Sequence, residues 1–180
     1  MSQVIEVLDK KFRIYISQQE IEKTIRKVSD TISNDLAGKD VIFLGILNGS
    51  FMFAAELMKH ISFPCLISFL KIASYQGTVS SVNVKRLIGL TEDIKDKTVV
   101  ILEDIIDTGK TMDNIIRKLK GYEPAEIKIA TLLFKPDAYN DNHKIDYYGF
   151  SIPNDFIIGY GLDYNGYGRN LPDIYQIVTD

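Results

Sequence analysis

The sequence predicts an α/β protein, a mainly parallel sheet flanked by helices. Three observations carry that reading. Apolar runs at Val41–Leu47 and 98–102 have the unbroken hydrophobicity of strands covered on both faces. Amphipathic stripes at helical spacing alternate with them. Polar turns, not long linkers, join the two.

Ser17-Gln18-Gln19-Glu20 has the form of a capping box. Behind it Ile21, Ile25, Val28, Ile32 and Leu36 recur at spacings of four and three, one face of a helix of about five turns. Gly38 stands where a C′ glycine ends such a helix. Val41–Leu47 is the first buried strand, Asn48-Gly49-Ser50 breaks it, and 51–60 reads as a helix. A strand at 65–72 follows, with the lone cysteine, Cys65, expected as a small buried hydrophobe within it. The polar stretch 74–83 reads as a long functional loop, and 84–90 as a returning strand. The segment 93–97 is turn-like and leads into the strand 98–102. An acidic loop at 103–110 and an amphipathic helix at 111–120, closed by Gly121, come next. Further strands are expected at Glu126–Phe134 and 156–160. In such sheets ligands bind at the C-terminal strand ends near a topological switch point.

A chain of 180 residues, 46% apolar and 25% charged, has the composition of a globular protein, and a single domain over 1–180 is expected. Net charge is −3 and no basic run exceeds Lys10-Lys11 or Lys85-Arg86, which argues against nucleic acid as a partner. Residues 1–20 mix charge throughout and lack the apolar block of a signal peptide. No stretch approaches the ~20 apolar residues that span a bilayer. A cytoplasmic protein without membrane association is the expectation. His60 and His143 lack metal-ligand spacing. Tyr147, Tyr148, Tyr160, Tyr164 and Tyr167 read as core or interface residues.

The chemistry concentrates in Val-Val-Ile-Leu-Glu-Asp-Ile-Ile-Asp-Thr-Gly-Lys-Thr-Met, residues 99–112. An apolar strand delivers Glu103, Asp104 and Asp107, and Thr108, Gly109, Lys110 and Thr111 then open a helix. Free amides at a helix start, two hydroxyls and a glycine make an anion cradle. A nucleotide-triphosphate P-loop is excluded, because that motif needs glycine at position 104, which is aspartate. Three adjacent carboxylates repel one another unless a cation or hydrogen-bond donors compensate.

This segment resembles the phosphoribosyl-pyrophosphate (PRPP) signature of the type I phosphoribosyltransferases, and its Glu-Asp-Ile-Ile-Asp-Thr-Gly form resembles the hypoxanthine-guanine branch. The likeness extends through Leu47-Asn48-Gly49, Ser74-Tyr75, Lys135, Phe-Ile-Ile-Gly-Tyr-Gly-Leu-Asp at 156–163, and Arg169. It implies the fold of that family, with a small hood formed by the chain termini. It implies a purine-salvage pentosyltransferase that moves the 5-phosphoribosyl group from PRPP to hypoxanthine and guanine, giving IMP or GMP and pyrophosphate.

Roles follow from the same resemblance. Asp107 is the general base at purine N7 and also belongs to the 5′-phosphate site, with Thr108, Gly109, Lys110 and Thr111. Glu103 and Asp104 face the ribose and the shell of Mg²⁺, the implied cofactor. Asp163 holds a second Mg²⁺ on the pyrophosphate side and is also counted among the base-binding residues. Leu47, Asn48, Gly49 and Arg169 meet pyrophosphate, with asparagine standing where lysine is commoner in the family. Lys135 donates to the 6-oxo group, Phe156 stacks on the purine, and the Ile157 backbone meets the base edge. Ser74 and Tyr75 head a lid. A homodimer or homotetramer is implied. Three alternatives stay open: a regulator that keeps PRPP binding without catalysis, an enzyme for another base such as xanthine, and an Arg169 ion pair with Asp163 or Asp173 in the unliganded protein.

Overall fold

The computed structural model describes residues 4–74 and 85–178. Strands β1 (Val4–Val7) and β2 (Lys10–Ile16) precede helix α1 (Gln18–Leu36). Strand β3 (Val41–Leu47), helix α2 (Phe51–Met58), strands β4 (Leu66–Ser74), β5 (Lys85–Ile88) and β6 (Thr98–Ile106), and helix α3 (Lys110–Lys120) follow. Strands β7 (Glu126–Phe134), β8 (Tyr147–Ser151), β9 (Ile157–Ile158) and β10 (Ile174–Ile177) complete the order.

The capping box forms. The Ser17 hydroxyl accepts from the Glu20 amide at 3.4 Å, and the Glu20 carboxylate accepts from the Ser17 amide at 3.0 Å. A second free amide of the first turn, Gln18, donates to Asp173 at 2.7 Å. All five residues of the predicted stripe are buried, and Gly38 ends the helix with φ +80°. Ser17→Ala is expected to cost about 1 kcal/mol, read as a lower midpoint in denaturant unfolding.

Strand order in the larger sheet is β5-β4-β3-β6-β7-β8. All neighbours are parallel except the β4–β5 pair. The chain leaves β3 towards β4 on one side, whereas β6, on the other side of β3, leads away to β7. The C-terminal ends of β3 and β6 therefore flank a switch point, where a crevice opens. Alternation along the strands divides the core. Val41, Phe43, Val100 and Leu102 pack with α1 and α2, whereas Ile42, Leu44, Val99 and Ile101 pack with Met112, Ile115, Ile116 and Leu119 of α3.

A second sheet, β1-β2-β10-β9, is antiparallel and unites the two ends of the described chain. Phe12, Ile158 and Tyr175 form its small core. This is the hood that the family resemblance implies.

Several sequence expectations are corrected. Strand β6 runs to Ile106, so Glu103 and Asp104 lie in the strand and not in a loop. The ladder to β7 continues through Glu103–Thr131 and Ile106–Phe134, and this pairing carries the strand past the end of the apolar run. The expected strand at 156–160 is only Ile157–Ile158 and belongs to the hood. Cys65 lies just before β4 and is only partly buried, and desolvation raises its thiol pKa. Of the five tyrosines, Tyr147 and Tyr160 are buried, whereas Tyr148 and Tyr167 are exposed. Nearly all of the expected loop 74–83, Tyr75 included, lies outside the described residues. No helix among the described residues is long and apolar enough to cross a membrane.

Candidate active site

Three turns meet at the crevice. The first leaves β3 as Leu47-Asn48-Gly49, with a cis peptide between Leu47 and Asn48. Gly49 is required by close approach: a Cβ there would lie 1.6 Å from Asp104 Oδ2. The second turn reaches the same point, because a Cβ on Gly161 would lie 2.1 Å from the Gly49 carbonyl oxygen. Gly161 in turn donates its amide to the Arg169 carbonyl at 2.9 Å. Sequence reasoning did not single out Gly161, whose signal was its place in Gly159-Tyr160-Gly161.

Arg169 folds back over that turn. Its Nη1 donates to the Gly161 carbonyl at 2.7 Å and its Nη2 pairs with Asp163 Oδ1 at 2.5 Å. The other Asp163 oxygen accepts from the Gly166 amide at 2.7 Å. The Asp163 ion pair left open at the sequence level is therefore the one formed, and Asp173 instead caps α1.

The third turn follows β6. Glu103 is buried, and its carboxyl is pushed well above the ordinary glutamate range by desolvation and then by the neighbouring Asp104. Loss of hydration also raises Asp104, opposed by hydrogen bonds from the backbone at Ile105 and by the charge of Arg169. As strand neighbours the two diverge. Asp104 packs on Gly49, whereas Glu103 lines a cavity of about 120 Å³ with Asp107, Thr108, Gly109 and Thr111. Gly109 adopts φ +84° at the cap of α3. A Cβ on it would strike Asp141 and Tyr139 at 2.6 and 2.7 Å, so a side chain is excluded twice. The first intrahelical donor at this end is Asp113, bonded to the Gly109 carbonyl at 3.1 Å, and amides before it have no helical acceptor.

Lys135 stands at the end of β7 with its amide bonded to the Ile106 carbonyl. It is only 8% exposed. Its ammonium lies 3.3 Å from Asp107 Oδ2 and 3.3 Å from Asn154 Oδ1. Asp107 thus has a cationic partner of its own. Asn154 was not foreseen, since a contact 19 residues apart leaves no periodic trace. Phe156 is 45% exposed, edge-on to Tyr164 with ring centroids 5.8 Å apart, above the hood core. Ile157 is buried in β9, paired with Gln176 of β10. Ser74 closes β4 opposite Lys85.

The donor set can take a hard divalent cation. Glu103 and Asp104 are adjacent, poorly hydrated carboxylates, and the nearby cations are engaged elsewhere, Lys135 with Asp107 and Arg169 with Asp163. Carboxylate oxygens in that setting fit Mg²⁺. A separate grouping of Asp113, Asp141 and His143, with ligand atoms within 4.8 Å of one another, lies on the far side of Gly109. Tertiary folding, not sequence spacing, assembles it.

Comparison with known proteins accords with this geometry. Residues 14–165 match the phosphoribosyl transferase domain. The chain is 43% identical over 165 residues to the hypoxanthine-guanine phosphoribosyltransferase of Streptococcus pneumoniae, covering 90% of this chain and 91% of that one. It is 40% identical over 161 residues to the enzyme of the same name from Lactococcus lactis, covering 89% and 87%. A crystal structure of a hypoxanthine-guanine phosphoribosyltransferase from Bacillus anthracis superposes with a TM-score of 0.82 at 33% identity, covering 92% and 96% of the two chains. The crevice at the β3–β6 switch point and the hood above it are thus set in a known frame, and the chain belongs to the hypoxanthine-guanine phosphoribosyltransferases, purine-salvage pentosyltransferases of the type I fold.

Proposed function

We propose that this chain transfers the 5-phosphoribosyl group of PRPP to hypoxanthine and guanine, with Asp107 as general base at purine N7. The observation that carries the reading is the Asp107–Lys135 pair at 3.3 Å. It sets a carboxylate and a donor-only ammonium side by side, next to the anion cradle. A 6-oxopurine offers an acceptor for that ammonium, whereas a 6-amino group presents donors against it.

Thr108, Gly109, Lys110 and Thr111 bind the 5′-phosphate, mainly through the free amides of the α3 end. Glu103 and Asp104 face the ribose hydroxyls, and with Asp163 they are the residues that would hold Mg²⁺. When bound, that ion supplies positive charge against the phosphate oxygens of the leaving group. Arg169 and the backbone of Leu47, Asn48 and Gly49 receive pyrophosphate. Asn48 contributes an amide side chain and no charge. Since Arg169 is paired with Asp163, pyrophosphate binding exchanges one anionic partner for another. Phe156 supplies the stacking face and Ile157 a backbone contact. Fixed dipoles and charges around a carbon that becomes cationic supply most of the catalysis.

The same proposal includes a single domain over 1–180, a lid headed by Ser74 and Tyr75, a cytoplasmic site of action and a homo-oligomer. Exposed Leu66, Ile67 and Phe69 on β4 supply apolar surface for assembly. The deciding assay mixes the protein with PRPP and Mg²⁺ and offers each purine in turn. IMP and GMP are the expected products. Product from adenine alone, or from xanthine alone, overturns the assignment of the base.

A further inference from the structure

Resting on that functional reading, we infer that Asn154 is a positioning residue that aims the Lys135 ammonium at the 6-oxo group of the purine. An ammonium carries three N–H donors. Two are directed by acceptors within the protein, Asp107 Oδ2 and Asn154 Oδ1, each at 3.3 Å. The third then has a fixed direction. Lys135 is almost fully buried, so solvent does little to redistribute these bonds.

The turn that carries Asn154 is anchored on both sides. Ile152 donates its amide to the Phe134 carbonyl at 2.9 Å, one residue before Lys135. Asp155 accepts from Gln176 Nε2 of β10 at 2.6 Å, which ties the turn to the hood. Asn154 therefore fixes the ammonium between the main sheet, which supplies Lys135, and the hood segment that supplies Phe156. Its carbonyl is neutral. It takes up one N–H without cancelling charge, which stays available to a substrate oxygen.

Two measurements on the full chain test this: ligand-free crystal structures, and steady-state kinetics with hypoxanthine and PRPP. In Asn154→Ala the Lys135 Nζ should shift by about 1 Å or more, a displacement large enough to matter for catalytic positioning. The KM for hypoxanthine should rise roughly tenfold, as for loss of a hydrogen bond to a charged group. The KM for PRPP should hold. Asn154→Asp keeps an acceptor and should return the Lys135 Nζ to its place, while its added charge keeps the hypoxanthine KM raised. An unmoved Lys135 with an unchanged hypoxanthine KM overturns the inference, as does an equal rise in both KM values. If the wild-type chain forms no nucleotide from any 6-oxopurine, the functional reading falls instead, and the crystal comparison alone still decides whether Asn154 holds Lys135.

Discussion

Gly49→Ala should lower kcat/KM by about 10²-fold or more while the chain stays folded, because a displacement of roughly 1 Å in a catalytic constellation costs that much. The reason is local. A methyl group at this position would lie 1.6 Å from Asp104 Oδ2, far inside contact distance. Either the carboxylate swings out or the turn retreats, and retreat is opposed by Gly161 against the Gly49 carbonyl. Both outcomes separate Asp104 from the turn at 47–49, proposed above to receive pyrophosphate. The hydrophobic clusters on the two sheet faces are untouched, so circular dichroism and the unfolding midpoint should change little. Calorimetric titration with PRPP should show the binding loss directly. Activity equal to the wild type would mean that the close approach of the two segments is not used.

Asp107→Asn should reduce kcat by roughly 10²–10⁴-fold, the usual cost of removing a positioned general base. The substitution is nearly isosteric, and its amide oxygen can still accept from Lys135. The KM or Kd for PRPP should therefore stay within a few-fold, because the amides of 108–111, proposed above to hold the 5′-phosphate, are unchanged. Rapid-quench measurement of nucleotide formation separates the two quantities. A kcat that does not fall removes Asp107 from proton transfer.

Legibility differed from element to element for physical reasons. Helix α1 could be read to the residue at its start because a capping box and a stripe are local patterns, and both survive in the fold. The segment 99–112 could be recognised for the same reason. Its internal boundary could not, since β6 is prolonged by pairing with β7, and a ladder between segments about thirty residues apart leaves no mark on periodicity. The hood was expected from the family resemblance alone, and β1, β2 and β10 left no pattern of their own for a stronger version of that reason. Its strands are four, seven, two and four residues long. Lys10, Lys11 and Arg13 interrupt β2, and its partner β10 is remote. The candidate site residues were chosen by type and resemblance, but their pairings were not. That Lys135 meets Asn154, that Gly161 sits on Gly49 and that Asp141 buttresses Gly109 are products of the tertiary fold. Arg169 was the exception. It is the lone basic residue in an acidic stretch from Ile145 to Asp180, so an ion pair with Asp163 or Asp173 could be anticipated, and the first of the two is formed.

The union of β2 with β10 has a bearing on the order of assembly. Arg13 and Gln176, hydrogen-bonded across that seam, stand 163 positions apart. During translation, the β1–β2 hairpin emerges before the parallel sheet but waits until β10 has been synthesised before it can dock. The ledge that bears Phe156 is thus finished last, after the parallel sheet and its phosphate cradle have had time to form. A ribosome-bound nascent chain stalled before Ile174 should already protect its central strands from proteases yet fail to retain a purine.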